Sequence, residues 1–174
     1  MSAGPEATFA GRGAALTAEE RIWRILETVP DPEIPVVSIV DLGIVRYVRS
    51  TADGRLQVGL TPTYCGCPAT AAIRTATSAA LKSAGYADAQ LEEVLAPAWT
   101  SDWVTPAGRA RLAAFGIAPP VAVGEVQRGE ARAVTCPRCA SNATDKVSEF
   151  GSTPCKAHYR CSACGEPFDQ FKCI

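Results

Sequence analysis

Two Cys-x-x-Cys pairs near the C-terminal end carry the plainest chemistry in the chain. Cys136 and Cys139 stand two residues apart, as do Cys161 and Cys164, with twenty-one residues between the pairs. A two-residue gap lets two thiolates on one tight turn reach a single ion at about 2.3 Å, and two such turns complete a tetrahedron. Pro137 stiffens the first turn, and Gly165 follows the second where the chain has to reverse. Cys136, Cys139, Cys161 and Cys164 are therefore expected to bind zinc in a ribbon over residues 135–174. A unit of about forty residues buries too little apolar surface to fold alone, so metal ligation has to supply much of its stability. An iron–sulfur cluster, or disulfides, are the alternatives for the same thiols. A redox Cys-x-x-Cys is a single pair at a helix start, which two symmetric pairs do not resemble. His158, the one histidine, lies between Cys155 and Cys161. Four thiolates already fill a zinc site, so it reads as a packing or surface residue. Cys155 and Cys173 are expected to be buried thiols, with pairing to each other or exchange into the site as alternatives.

A second, sparser constellation lies upstream. In Thr61-Pro62-Thr63-Tyr64-Cys65-Gly66-Cys67-Pro68, Cys67 falls at the predicted start of a helix. Free N–H groups and partial positive charge there stabilise a thiolate, so Cys67 is expected to be the more acidic and reactive of the two cysteines. Asp31, Glu33 and Asp41 precede the predicted hairpin and are candidates to approach that helix start. The plainer reading of these residues is structural, with Cys67 capping a helix and Asp41 capping a turn. No phosphate-cradling glycine loop and no Ser-His-Asp order occurs, and one histidine excludes most imidazole-based acid–base mechanisms. A nucleophile needs a base beside it, and none accompanies Cys67 in sequence.

The elements that have to position these groups are legible in outline. Thr17 and Glu20 have capping-box spacing, and Ile22, Ile25, Leu26 and Val29 follow at helical period until Pro30 and Pro32 stop the helix. Asp31-Pro32-Glu33-Ile34-Pro35 cannot be helical. A hairpin is predicted from Ile44–Arg49 and Arg55–Thr61 around Asp53-Gly54, with Leu56, Val58 and Leu60 alternating inward. The next helix opens at Cys67 or Pro68, turns Ala69, Ala72, Ile73, Ala76 and Ala80 toward the core, and ends at Gly85. Leu91–Leu95 reads as a short strand, and Thr105-Pro106 opens a third helix ending near Gly116. Residues 117–134 read as a linker, with one extended segment over Val121–Val126. The fold expected is α+β: a three-stranded sheet packed by helices over 17–116, followed by the ribbon, with 1–16 flexible.

Composition narrows the class. The chain has 174 residues, 47% apolar and 20% charged, with net charge -1. That is too apolar for a disordered chain, and it lacks the basic footprint of a nucleic-acid binder. No apolar run approaches the roughly 20 residues that span a bilayer. The N-terminus does not read as a signal peptide, so a reducing, cytoplasmic setting is expected, consistent with metal rather than disulfides for the eight cysteines.

Several separated motifs occur in the order that characterises one family. Asp31-Pro32-Glu33-Ile34-Pro35, Val40-Asp41-Leu42-Gly43-Ile44-Val45, Thr61-Pro62-Thr63 and Cys67-Pro68, with Pro97 and Trp99 downstream, resemble the SufT-like iron–sulfur assembly domain family. In the tail, Cys136-Pro137, Phe150-Gly151-Ser152-Thr153, Cys155-Lys156-Ala157, Tyr159-Arg160-Cys161 and Glu166-Pro167-Phe168 narrow the resemblance. The two parts together resemble the D (or J) subunits of bacterial phenylacetyl-CoA epoxidase systems. The resemblance implies a non-enzymatic accessory role in iron–sulfur cluster insertion, with the iron–sulfur flavin reductase as client and the di-iron oxygenase as a second one. It implies that Cys67, with Asp31 and Glu33, handles a transient cluster or iron. One such thiol per chain cannot complete a four-thiolate site, which points to a homodimer. Cys65 stands where close relatives are expected to carry serine. A structural subunit bridging oxygenase and reductase, with no metal-transfer role, is the alternative.

Overall fold

The computed structural model describes residues 16–64, 66–121 and 133–172. Cys65 and Cys173, the N-terminal segment through residue 15 and most of the Val121–Val126 segment lie outside the described residues.

Helix α1 spans Ala18–Leu26 and opens on the expected capping box: the Thr17 hydroxyl accepts from the Glu20 N–H, and the Glu20 carboxylate accepts from the Thr17 N–H. Ile22 and Leu26 are fully buried. The chain then makes a proline-rich loop closed at its base by an antiparallel bridge between Pro30 and Ser38. The Asp31 carboxylate holds the loop, accepting from the Glu33 and Ile34 N–H groups at 2.9 and 2.8 Å. Gly43 ends the next turn at φ +66°, where a Cβ would stand 2.6 Å from the Trp103 Cβ. That position of the Val40–Val45 motif therefore needs glycine on two counts.

Strands β1 (Val45–Ser50) and β2 (Leu56–Leu60) form the predicted antiparallel hairpin, with Gly54 at positive φ in its turn. Helix α2 (Ala69–Ser83) crosses over to β3 (Gln90–Glu93), which pairs parallel to β2, so the sheet order is β1-β2-β3. The inner face of α2 differs from expectation. The buried stripe is Ala69, Ile73, Thr77 and Leu81, at strict four-residue spacing, while Ala72 and Ala76 are exposed. Alanine is the favoured helix residue on a solvated face as well as in a core, so its abundance did not mark the buried side. Strand β3 ends before Leu95, which is 64% exposed. A single 3-10 turn (Ser101–Trp103) leads into α3 (Pro106–Phe115), with Thr105 as N-cap, Pro106 at the first helical position and Gly116 left-handed at the end.

The ribbon is a four-stranded sheet in the order β4-β7-β6-β5. Here β4 is Ile117–Ala118, β5 Thr144–Ser148, β6 Lys156–Cys161 and β7 Pro167–Phe171. Strand β4 lies in the stretch read from sequence as linker. It follows α3 directly and pairs parallel to β7, so the sheet begins before the cysteines do. The ribbon's own buried cluster is small: Ala118, Cys136, Ala157, Tyr159, Cys161 and Phe168, two of which are thiols of the metal set.

Phe171 and Cys155 instead join the main core, beside the residues of α1, the hairpin and α2. Trp99 makes the junction. It is 4% exposed, its ring lies 6.0 Å from that of Phe171, and its Nε1 donates to the buried Leu42 carbonyl at 2.9 Å. Trp99→Phe keeps the ring contact and strands the Leu42 carbonyl, so it is expected to cost about 1–3 kcal/mol. Trp99→Ala also opens a cavity and is expected to cost about 3–5 kcal/mol. Urea unfolding of both variants checks the order, and equal losses would show that the hydrogen bond carries no weight.

Candidate functional site

The four ribbon thiols converge. Their sulfur atoms all lie within 4.8 Å of one another, with Cys136 to Cys164 at 3.9 Å and Cys139 to Cys161 at 3.6 Å. A tetrahedral zinc with bonds of about 2.3 Å requires ligand–ligand edges of about 3.8 Å. The two recorded edges straddle that value, so the donor set fits zinc. The two turns are built alike. In the first, the Ala140 N–H donates to the Cys136 carbonyl at 2.9 Å, and Ala140 has φ +59°. In the second, the Gly165 N–H donates to the Cys161 carbonyl at 2.9 Å, and Gly165 has φ +77°. Arg138 and Glu166 form an ion pair across the two turns.

Four thiols this close cannot all ionise without a cation. The N–H groups of Cys164 and Ala163 outweigh burial and, with the neighbouring thiols, bring Cys161 down to about 7. At Cys139 the Ser141 N–H pulls downward, but hydrogen bonds among the thiols and burial push it up to about 12. A bound zinc supplies the positive charge that lets all four be thiolates. His158 takes no part: its Nδ1 lies 3.1 Å from Asp169 Oδ1, as a packing and polar-pair residue.

The upstream residues meet in a different place. A pocket of about 540 Å³ of atom-free space, counting its open mouth, is lined by Asp31, Glu33, Thr63, Cys67, Arg74 and Glu93 among others; its open core is only about 30 Å³. Cys67 is a free, half-buried thiol one residue before Pro68, which is the N-cap of α2. No side chain caps that helix, so the capping role weighed for Cys67 is not what the geometry shows. Asp41 does act as a cap. Its Oδ2 accepts from the Ser38 N–H at 2.9 Å and pairs with Arg111, its Oδ1 accepts from the Thr105 hydroxyl at 3.2 Å, and the Ser38 hydroxyl accepts from the Asp41 N–H at 3.0 Å. Asp41 thus ties α3 to the loop and does not line the Cys67 pocket.

Cys155 is the buried thiol expected, but the sequence did not show that it lines this pocket, nor that Tyr64 packs beside the pocket thiol. Cys155 reaches the pocket from the ribbon, 122 residues away in sequence from Glu33, whose Oε2 lies 4.0 Å from its sulfur. The Tyr64 hydroxyl is buried beside Cys67, with no oxygen or nitrogen partner among the described residues. Burial, with Cys67, Cys155 and Glu33 nearby, pushes its proton affinity up to about 12, so it remains a donor. Burial likewise pushes the Cys155 thiol up, against the pull of the Thr153 hydroxyl. No local pattern signals Cys155, because a ribbon needs only four cysteines.

The two aspartates differ in sign. Burial raises Asp31 above the ordinary carboxylate range, despite its two N–H donors. At Asp41 burial also pushes upward, but the Ser38 N–H and the Arg111 guanidinium outweigh it, and the group is held low. A lowered carboxylate stabilises the fold above its unfolded value of about 3.9 and loses that contribution as pH falls through the folded value. A raised one disfavours the fold at neutral pH, and the penalty vanishes on acidification. Asp41→Asn is therefore expected to lower the melting temperature at pH 7 and Asp31→Asn to raise it, both differences shrinking toward pH 3. Thermal scans from pH 7 to pH 3 read both signs. For the ribbon, Cys161→Ser is expected to drop bound zinc well below one equivalent and to lower the melting temperature of the whole chain, because Phe171 and Cys155 leave the main core with it. A full equivalent of zinc and an unchanged melting curve would overturn the tetrahedral site.

Comparison with known proteins follows the same division. Residues 19–92 match the family described as iron-sulfur cluster assembly protein, and residues 120–172 match the PaaD zinc beta ribbon domain. An Escherichia coli (strain K12) protein described as a candidate D subunit of 1,2-phenylacetyl-CoA epoxidase is 51% identical over 153 residues, covering 88% of this chain and 92% of that one. A Porphyromonas gingivalis protein described as an Fe-S protein maturation auxiliary factor is 36% identical over 91 residues, covering 52% of this chain and 86% of its own. Among solved structures, a domain of unknown function (DUF59) from Bacillus anthracis is 26% identical, covers 54% of this chain and 90% of that chain, and superposes with a TM-score of 0.50. An assembly-type domain carrying a pocket thiol, joined to a ribbon whose four thiols fit zinc and matched over nearly its whole length by one relative, belongs to the family of phenylacetyl-CoA epoxidase D subunits.

Proposed function

We propose that the protein is a non-enzymatic accessory factor that delivers an iron–sulfur cluster, or iron for one, to the phenylacetyl-CoA epoxidase system. The cargo passes through Cys67, with Asp31 and Glu33 beside it, and the client is the iron–sulfur flavin reductase component. The observation that supports this most is the placement of Cys67. It is a free thiol, partly open to solvent, in a pocket edged by three carboxylates (Asp31, Glu33 and Glu93). Sulfur and carboxylate donors in an incomplete set suit iron held in transit rather than a permanent site. The one histidine is engaged with Asp169 in the ribbon and so is no base for Cys67. The zinc in the ribbon is structural in this reading, since a closed four-thiolate site keeps no open position for substrate. Two chains sharing one cluster is the form a homodimer would take.

A bridging role with no metal transfer is the competing reading. What favours it is the edge of the ribbon: Val147 on β5 is 61% exposed and Phe150, just beyond, is 70% exposed, a pair of apolar side chains suited to docking on a partner. Cys67→Ser separates the two. The substitution leaves that edge intact, so the epoxidase components are expected to co-purify as before, while iron and acid-labile sulfide per reductase fall several-fold in cells dependent on the variant. Full cluster occupancy with Cys67→Ser would leave only the bridging role.

A further inference from the structure

We infer that Cys155, supplied by the ribbon, is a second thiolate ligand for the iron–sulfur cargo, so that each chain grips it with Cys67, Cys155 and the Glu33 carboxylate. This rests on the reading of Cys67 as the cargo-handling thiol and adds the ligand set.

The pocket is walled by both parts of the molecule. Asp31, Glu33, Thr63 and Cys67 come from the assembly domain, and Cys155 and Phe171 come from the ribbon. Cys155 is 5% exposed, its sulfur lies 4.0 Å from Glu33 Oε2, and it is a free thiol. It is not a spare member of the zinc set, because the four convergent sulfurs are those of Cys136, Cys139, Cys161 and Cys164. Next to this group, the Tyr64 hydroxyl is buried beside Cys67, with no oxygen or nitrogen acceptor among the described residues and only that thiol's sulfur beside it. A neutral thiol is a weak acceptor, and a metal-bound thiolate or a bridging sulfide is a stronger one. Among the described residues, Cys67, Cys155 and Glu33 do not converge as tightly as the ribbon thiols. A spread donor set suits a cargo with more than one iron better than a single ion.

Ligation involves no redox change. Each thiol gives its proton to solvent as its sulfur bonds iron, and the carboxylate binds as it stands. The three carboxylates of the lining, Asp31, Glu33 and Glu93, outnumber its guanidinium, Arg74, and favour a cation. The narrow core of about 30 Å³ means that the side chains lining it have to shift outward as cargo enters.

The test uses the full-length, zinc-loaded protein, handled without oxygen and incubated with ferric citrate, sulfide and a thiol reductant, and in a second arm with the same mixture lacking sulfide. Bound iron, acid-labile sulfide and zinc are measured per chain after gel filtration. Cys155→Ser and Cys67→Ser are each expected to lower bound iron and sulfide at least fivefold in the first arm, with zinc kept at one equivalent. Glu33→Gln, which leaves the core unchanged, is expected to lower them by a smaller factor. Iron bound equally well with and without sulfide would show a lone-ion site and overturn the cluster assignment. Cys155→Ser with wild-type iron and sulfide, while Cys67→Ser has lost them, overturns this ligand and leaves the proposed function standing. Retention by Cys67→Ser as well removes the proposed function itself. Should the Cys155 variant fail to fold, iron-edge X-ray absorption of the loaded wild type gives the total sulfur per iron, ribbon sulfurs being on zinc and silent there, and subtracting the sulfide contribution fixed by acid-labile sulfide leaves the thiolates. Two thiolates per chain support the inference and one overturns it.

Discussion

Four thiolates gathered within 4.8 Å are mutually repulsive until a cation sits among them, and the C-terminal third of the molecule depends on that neutralisation. Among the described residues the ribbon's own buried cluster is six side chains, two of them metal-set thiols, which is too little apolar area to offset the ordering of some forty residues. Closing the tetrahedron sets the two turns, the turns set the register of β5, β6 and β7, and that register aims Cys155 and Phe171 at the other domain. The zinc is therefore tied to more than ribbon stability. It places one wall of the Cys67 pocket.

The two sulfur sites are opposites in design. The ribbon set is complete, its turns locked by matching hydrogen bonds from Ala140 and Gly165, and nothing in it invites exchange. The Cys67 pocket has thiols and carboxylates, but no convergent set of its own among the described residues. A protein that hands metal on needs the second kind, since a ligand set that satisfies its cargo fully has no reason to release it. The two sites are also separate in the fold: the four ribbon thiols converge on one another, and none of them lines the Cys67 pocket.

Local chemistry was readable wherever it depended on neighbours in sequence. Thr17 and Glu20, Asp53-Gly54, Thr105-Pro106 and the Cys-x-x-Cys pairs each act across four residues or fewer, and each stands where it was expected. What the linear pattern hid was of two kinds. Alanines at Ala72 and Ala76 carry no information about which face is buried, because alanine favours helix in either setting. Ala140 carries the left-handed turn that glycine carries at Gly165, so the equivalence of the two turns is invisible in composition. Cys155 is the larger omission. Its meaning depends on Trp99 and Phe171 docking the ribbon on the assembly domain, a contact between segments far apart in the chain.

That docking also explains why Asp31 can be kept in an unfavourable state. Its carboxylate is buried with its proton affinity raised, a standing penalty at neutral pH that an amide in its place would remove while still accepting from Glu33 and Ile34. A penalty of this sort persists where the charge does something the amide cannot. Asp31 lines the pocket that holds Cys67, on the loop that carries Glu33, and its charge adds to the negative potential there. Asp41, ten residues on, shows the contrast: fully engaged by Ser38, Thr105 and Arg111, it stabilises the fold and stays out of the pocket. Two aspartates of one loop region thus answer burial differently: Asp41 is tied into the scaffold by its donors, and Asp31 lines the pocket at a cost to the fold.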